Sequence, residues 1–222
     1  MFDLIIFDCD GVLIDSEIIS AQMLIDELAA LGVHIDLTYV ARHFLGRSYP
    51  TVMDTIRQEF NLTLPPEFED QYRARLLARF EQDLKIMPHV ADVLARLRVP
   101  YCIATSSSPM RAAKSLAMVG LGHLAGSCLF TSTMVARGKP APDLFLHAAA
   151  QMGADPARCL VIEDSLTGVR AALAAGMPVW RFTGGSHLKD RVLDEPEDAR
   201  ADRRFASFAS FFQVDPALQD QA

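Results

Sequence analysis

A chain of 222 residues is long enough to bury one large core, or one core with a smaller insert, without disulfide or metal staples. Half of the residues are hydrophobic and 22% are charged, an ordinary globular composition. The net charge of −7 argues against nucleic acid or an anionic membrane as the main partner.

Residues 2–7, apolar but for Asp3, read as a buried strand. The first residues, MFDLIIFDCDG, reach acidic groups too soon for a signal peptide. From Ser16 to Lys85 only helical periodicity follows. Ala21, Leu24, Ile25, Leu28 and Leu31 recur at helical spacing up to Gly32; Val52, Ile56 and Phe60 form a second stripe; Tyr72, Leu76, Leu77 and Phe80 form a third. Pro88 returns the chain to strands alternating with helices. Strands are expected at 101–105, more faintly at 127–131, and at 159–163 and 178–182. Helices are expected at 110–119 before Gly120, 144–152 before Gly153 and 166–175 before Gly176, each glycine a suitable terminator. After Ala199, Phe205, Phe208, Phe211 and Phe212 suggest a short packed helix or turn, with fraying from about Asp215.

The fold class expected is α/β, a doubly wound, Rossmann-like parallel sheet with an inserted α-helical cap. The core would comprise residues 1–15 and 86–222, and the cap residues 16–85. Cys9, Cys102, Cys128 and Cys159 form no CxxC pair and lie in or beside apolar runs, so they read as core filler in a reducing compartment. No run of eighteen apolar residues exists, so no membrane span is expected and the cytoplasm is the expected location.

Four elements carry chemistry. Asp8-Cys9-Asp10-Gly11 follows the first strand, and residues two apart in an extended segment face one way. Two such carboxylates repel unless a cation or proton intervenes, and magnesium is the natural cation. The plain alternative is a strand-end turn with solvated aspartates. Thr105-Ser106-Ser107-Ser108-Pro109 follows the second strand and makes an anion seat, or simply a helix cap with Ser108 at the N-cap. Lys139, in GKPAPD, supplies the positive charge that an acidic protein needs to hold an anion; taken alone it is better read as an exposed lysine in a proline-rich turn. Glu163-Asp164-Ser165 follows another strand and adds carboxylates, or a cap for the next helix. A doubly wound sheet brings these strand ends to one edge. Together they supply the nucleophile, metal shell, phosphate seat and cation that phosphoryl transfer requires. A dinucleotide-binding dehydrogenase is disfavoured, because no G-x-G-x-x-G follows the first strand.

In these motifs the chain resembles the haloacid dehalogenase superfamily of phosphohydrolases. Asp8-Cys9-Asp10-Gly11 matches its first motif, Thr105 its second, Lys139 its third and Glu163-Asp164 its fourth. The stretches DCDGVLIDSE, GKPAPDLF and IEDSLTG are similar to the subgroup with a helical cap, which includes β-phosphoglucomutase and many sugar-phosphate phosphatases. The resemblance implies that Asp8 attacks phosphorus and that Asp10 protonates the leaving oxygen, then activates water. It implies Mg2+ held by the Asp8 side chain, the Asp10 carbonyl and Asp164, with Glu163 ligating directly or through water. Thr105, the Ser106 N–H and Lys139 would hold the phosphate. Gly11 and the cap loop Leu45-Gly46-Arg47-Ser48 would lie on the substrate side. Arg47 reads either as a contact to a substrate carboxylate or hydroxyls or as a surface arginine before a helix.

The implied activity is hydrolysis of a small phosphorylated metabolite: a sugar, sugar-acid (6-phosphogluconate is one) or sugar-alcohol phosphate, or phosphoglycolate. A monomer is expected. Mutases of the subgroup carry His, Lys and Arg where this chain has Ser20, Leu45 and Tyr49, which favours hydrolysis. A phosphosugar mutase and a non-catalytic phosphate-binding regulator are the alternatives, and Asp10 counts against dehalogenase activity.

Overall fold

Six strands pair in parallel in the order β3-β2-β1-β4-β5-β6. They are β1 (Leu4–Phe7), β2 (Tyr101–Thr105), β3 (Leu129–Thr131), β4 (Cys159–Glu163), β5 (Val179–Phe182) and β6 (Arg203–Phe205). The structure is a computed structural model and describes residues 2–191 and 195–220. β1 and β4, at the centre, are buried along their whole length, as strands covered on both faces must be.

Side-chain alternation divides the core. Ile5, Phe7, Ile103, Leu160, Ile162 and Trp180 face one hydrophobic cluster with α5 (Val90–Arg96) and α6 (Pro109–Met118). Leu4, Ile6, Cys102, Ala104, Cys159 and Val161 face the other, with α7 (Asp143–Gln151) and α8 (Leu166–Ala174). All four cysteines are free. The helix stops read from sequence hold: Ser108 accepts from Arg111 N at 3.4 Å with Pro109 leading α6, and Gly120 closes it with φ +81°.

Between β1 and α5 run four helices: α1 (Glu17–Ala30), α2 (Leu37–His43), α3 (Tyr49–Glu59) and α4 (Phe68–Asp83). They bury a separate cluster around Leu24, Leu28, Met53, Ile56, Leu76 and Phe80. Arg75 and Glu27 tie α4 to α1 through two hydrogen bonds of 2.6 and 2.7 Å. No helix among the described residues is long and apolar enough to cross a membrane.

The C-terminal region departs from expectation. Residues 203–205 form a sixth strand, with Thr183 N donating to Phe205 O at 2.9 Å. Three residues, two of them exposed arginines, leave no strand periodicity to read, yet charge on an edge strand is a common guard against further pairing. The expected helix forms as a 3-10 turn running into α9 (Phe211–Val214). The fraying expected from Asp215 is absent through Asp220. Leu218 is buried, its carbonyl accepts from Arg98 N at 3.1 Å, and Asp220 N donates to Arg96 O at 2.9 Å.

Phe211 is fully buried against the rings of Phe7, Trp180, Phe205, Phe208 and Phe212. Phe211→Ala should therefore cost about 3–5 kcal/mol. Phe212→Ala, at the edge of the cluster, should cost less. Urea midpoints check this, and equal midpoints for both variants would show that the tail is not part of the core.

Candidate active site

The C-terminal ends of β2, β1 and β4 lie side by side, and Asp8, Thr105 and Glu163-Asp164 stand there. This edge, where the chain order switches sides about β1, is where open α/β sheets bind ligands. Lys139 arrives from the loop before α7. Its ammonium donates to Asp8 Oδ1 at 2.7 Å, Glu163 Oε1 at 2.7 Å and Ala104 O at 3.0 Å, so all three protons are used. The lysine is buried, not the exposed turn residue that its local sequence alone suggests.

Glu163 is fixed from the other side. Its Oε2 accepts from Asp164 N and Ser165 N at 2.9 Å and from Ser165 Oγ at 3.0 Å, at the start of α8. A Cβ on Gly168 would fall 1.7 Å from Glu163 Oε1, so the helix needs glycine there.

Asp10 sits in a separate nest. Ser16 Oγ and Ser107 Oγ donate to it at 2.6 Å, Thr105 Oγ1 at 3.4 Å and Arg111 Nη2 at 2.9 Å. Burial alone would raise its carboxyl. Arg111 and the hydroxyls outweigh burial and hold it below the usual carboxylate range. Asp8 goes the opposite way. Burial pushes it well above that range, Lys139 opposes, and Glu163 and Asp164 push further. Asp164 is raised by burial and then by Glu163.

These directions say what the site lacks. Asp8, Glu163 and Asp164 bring carboxylate oxygens within 4.8 Å of one another, all buried, against one lysine. The excess negative charge is relieved by protons or by a cation, and oxygen-only donors suit a hard ion such as magnesium. The residues therefore fit the metal that the sequence implies.

A cavity of about 730 Å³ opens between Asp8, Asp10, Thr105, Ser106 and Lys139 below and Gly46, Arg47 and Tyr49 of the cap above. The cap loop is held by two core hydroxyls: Ser106 Oγ donates to Gly46 O at 3.0 Å and Thr167 Oγ1 to Leu45 O at 3.1 Å. Gly46 has φ +75°, and a Cβ there would lie 2.3 Å from Ser165 Oγ, so only glycine allows this approach. Arg47 is exposed and lines the cavity. Gly11 does not line it; its α-carbon backs onto Asp164 Oδ2 and His187.

Sequence reasoning passed over Ser16, Glu17, Arg111 and His187, and read Ser107 only as a member of the anion-seat run. Ser16 and Glu17 adjoin the first motif and Ser107 sits in the serine run, so position was a usable signal for those three. Arg111 carried none: from α6 it reaches Asp10 and, at 3.2 Å, Ser20 Oγ, with its guanidinium 5.4 Å over the Phe80 ring.

The sequence model of the haloacid dehalogenase-like hydrolase family matches residues 2–176. The chain is similar to the 6-phosphogluconate phosphatase of Escherichia coli, 29% identical over 189 residues, covering 85% of this chain and 86% of that one. It is 32% identical over 177 residues to hexitol phosphatase B of Escherichia coli, covering 78% and 79%. A solved haloacid dehalogenase-like protein from Agrobacterium tumefaciens superposes with a TM-score of 0.82 at 38% identity, covering 98% and 99%.

Glu17 lines the same cavity, and burial, with Asp10 and Asp164 nearby, raises its pKa to about 7. A carboxyl raised in the folded state contributes stability below its unfolded pKa, and that contribution is lost as pH rises to about 7. Glu17→Gln should therefore leave the Tm of the metal-free protein nearly unchanged at about pH 4 and raise it at about pH 8. An equal shift at both pH values would contradict the assignment.

Proposed function

Since the chain belongs to the haloacid dehalogenase-like hydrolase family, we propose that it is a magnesium-dependent phosphatase of small phosphorylated metabolites, working through an aspartyl-phosphate on Asp8. The observation that carries this reading is the pairing of two differently held aspartates. Asp8 is fixed by Lys139 in a buried, anionic cluster, and Asp10 stands beside it among four donors.

In this reading Asp8 attacks phosphorus and the ester oxygen leaves with a proton from Asp10. Water then attacks the acyl phosphate, giving a proton back to Asp10, and phosphate departs with Asp8 restored. In the free protein Asp10 favours its ionised, base form. A bound phosphate monoester, carrying roughly −1.5 to −2 charges, raises that pKa and favours the acid form needed first. Lys139 lowers the repulsion between the nucleophile and the anionic phosphoryl group, while Thr105 and Ser106 border the seat for its oxygens. Magnesium held by Asp8, Asp164, the Asp10 carbonyl and, directly or through water, Glu163 would neutralise charge on the phosphoryl oxygens.

Substrate breadth follows from the cap. Arg47, Tyr49 and Glu17 mix donors and acceptors around the cavity, which suits a chain of hydroxyls with or without a carboxylate. The names of the two Escherichia coli relatives, a sugar-acid and a sugar-alcohol phosphatase, point to the same class. Ser20 is engaged by Arg111, and Tyr49 stacks on Tyr72 with ring centroids 5.2 Å apart. Neither supplies the charge that holds a second phosphate in a mutase.

Phosphate release from a panel of sugar, sugar-acid and sugar-alcohol phosphates tests the reading. Turnover should require magnesium and vanish in excess EDTA. Asp8→Asn should be inactive, and Asp10→Asn should lose roughly a hundred- to ten-thousand-fold, most for sugar hydroxyl leaving groups. β-Glucose 1-phosphate should yield phosphate or nothing. Full activity in EDTA, or accumulation of glucose 6-phosphate, would overturn it.

A further inference from the structure

The loop after β5, Thr183-Gly184-Gly185-Ser186-His187, has no part in the chemistry above. It nevertheless ends against the metal cluster. His187 is only 6% exposed, and its Nε2 lies 2.8 Å from Asp164 Oδ2. Distance and alignment disagree here: the contact is close, yet neither ring nitrogen nor Oδ2 makes an aligned hydrogen bond among the described residues. A buried imidazole nitrogen and a buried carboxylate oxygen thus face each other at hydrogen-bonding distance without pairing.

The surroundings are built for that contact. Gly11 has φ +80°, and a Cβ there would fall 2.1 Å from Asp164 Oδ2 and 3.0 Å from His187 Cε1. A Cβ on Gly185 would lie 2.6 Å from His187 Cε1. Both glycines thus clear the space that the imidazole and carboxylate share. The loop is also pinned, with Ser186 N donating to Asp15 Oδ1 at 3.1 Å and Ser186 Oγ donating to Asp15 Oδ2. From the same strand, Arg181 Nε donates to Asp164 O at 3.1 Å, fixing the main chain of the acid.

We infer that His187 is a positioning residue for the metal: its Nε2–H takes Asp164 Oδ2 and so presents the other oxygen, Oδ1, to magnesium. The inference rests on the magnesium reading above and adds a residue to it. His187 touches neither the substrate nor the ion. It acts by orienting a ligand, a role that elsewhere is worth about 10- to 100-fold in metal affinity. A histidine that merely filled the core would affect the fold and leave affinity alone.

Magnesium titration of the metal-free protein by calorimetry, without substrate, separates these roles. Wild type, His187→Ala and His187→Gln are compared, each with its Tm in EDTA. His187→Ala should weaken magnesium about 10- to 100-fold with little change in that Tm. His187→Gln, which keeps an N–H donor, should recover most of the affinity. In turnover, the magnesium requirement of His187→Ala should rise while kcat at saturating magnesium stays near wild type. Unchanged affinity in His187→Ala would overturn the inference, as would equal losses of affinity and of metal-free stability in both variants. A wild-type protein that hydrolyses esters but binds no magnesium would bring down the metal reading itself, before any substitution is made.

Discussion

The ammonium of Lys139, buried between Asp8, Glu163 and the Ala104 carbonyl, is the constraint on which the site depends. A buried charge is tolerable only when its partners are fixed and fully hydrogen-bonded. That requirement reaches outward through the fold. Glu163 must be aimed at the lysine, so the first amides of α8 hold its second oxygen and Gly168 leaves room for it. β1 and β4 must be neighbours, in register from Leu4–Cys159 to Phe7–Ile162, for Asp8 and Glu163 to meet one lysine. The lysine still leaves the cluster short of positive charge. In the proposed reading, the same arrangement that secures it keeps a place for a divalent cation beside Asp8 and Asp164.

A second constraint governs the ceiling of the site. The cap loop reaches the core only because Gly46 lacks a side chain, and the Ser106 and Thr167 hydroxyls hold its carbonyls. On the cap's side these contacts are made by backbone carbonyls. The side chains of Arg47 and Tyr49 are thereby left to face the cavity. In the proposed reading the nucleophile and its charge partners come from the core, while the cap supplies Arg47 and Tyr49 at the ceiling and, at its first residue, Ser16 as a donor to Asp10.

Much of this was legible in the sequence for a physical reason. Central parallel strands are covered on both faces, so they read as uninterrupted apolar runs, and the residues that follow them must sit at one edge. That is why the sequence alone brings Asp8, Thr105 and Glu163-Asp164 to one edge. Lys139 became readable only as a member of that set, since its own surroundings look like a surface turn. Arg111 and His187 were not readable, because each acts across a tertiary contact that no periodicity records. β6 was missed because an edge strand of three residues, with Arg203 and Arg204 exposed, has neither length nor alternation. The docking of Leu218 onto the end of α5 was missed for a related reason: one apolar residue among polar neighbours gives no pattern.

The central claim is that Asp8 carries the phosphoryl group. Acid quench during a single turnover, followed by mass spectrometry of the peptide containing Asp8 and Asp10, tests it directly. The account predicts a transient phosphoryl group on the Asp8 side chain that decays as phosphate appears. A label on Asp10, or phosphate release at full rate with no phosphorylated peptide under conditions that trap acyl phosphates, would contradict it.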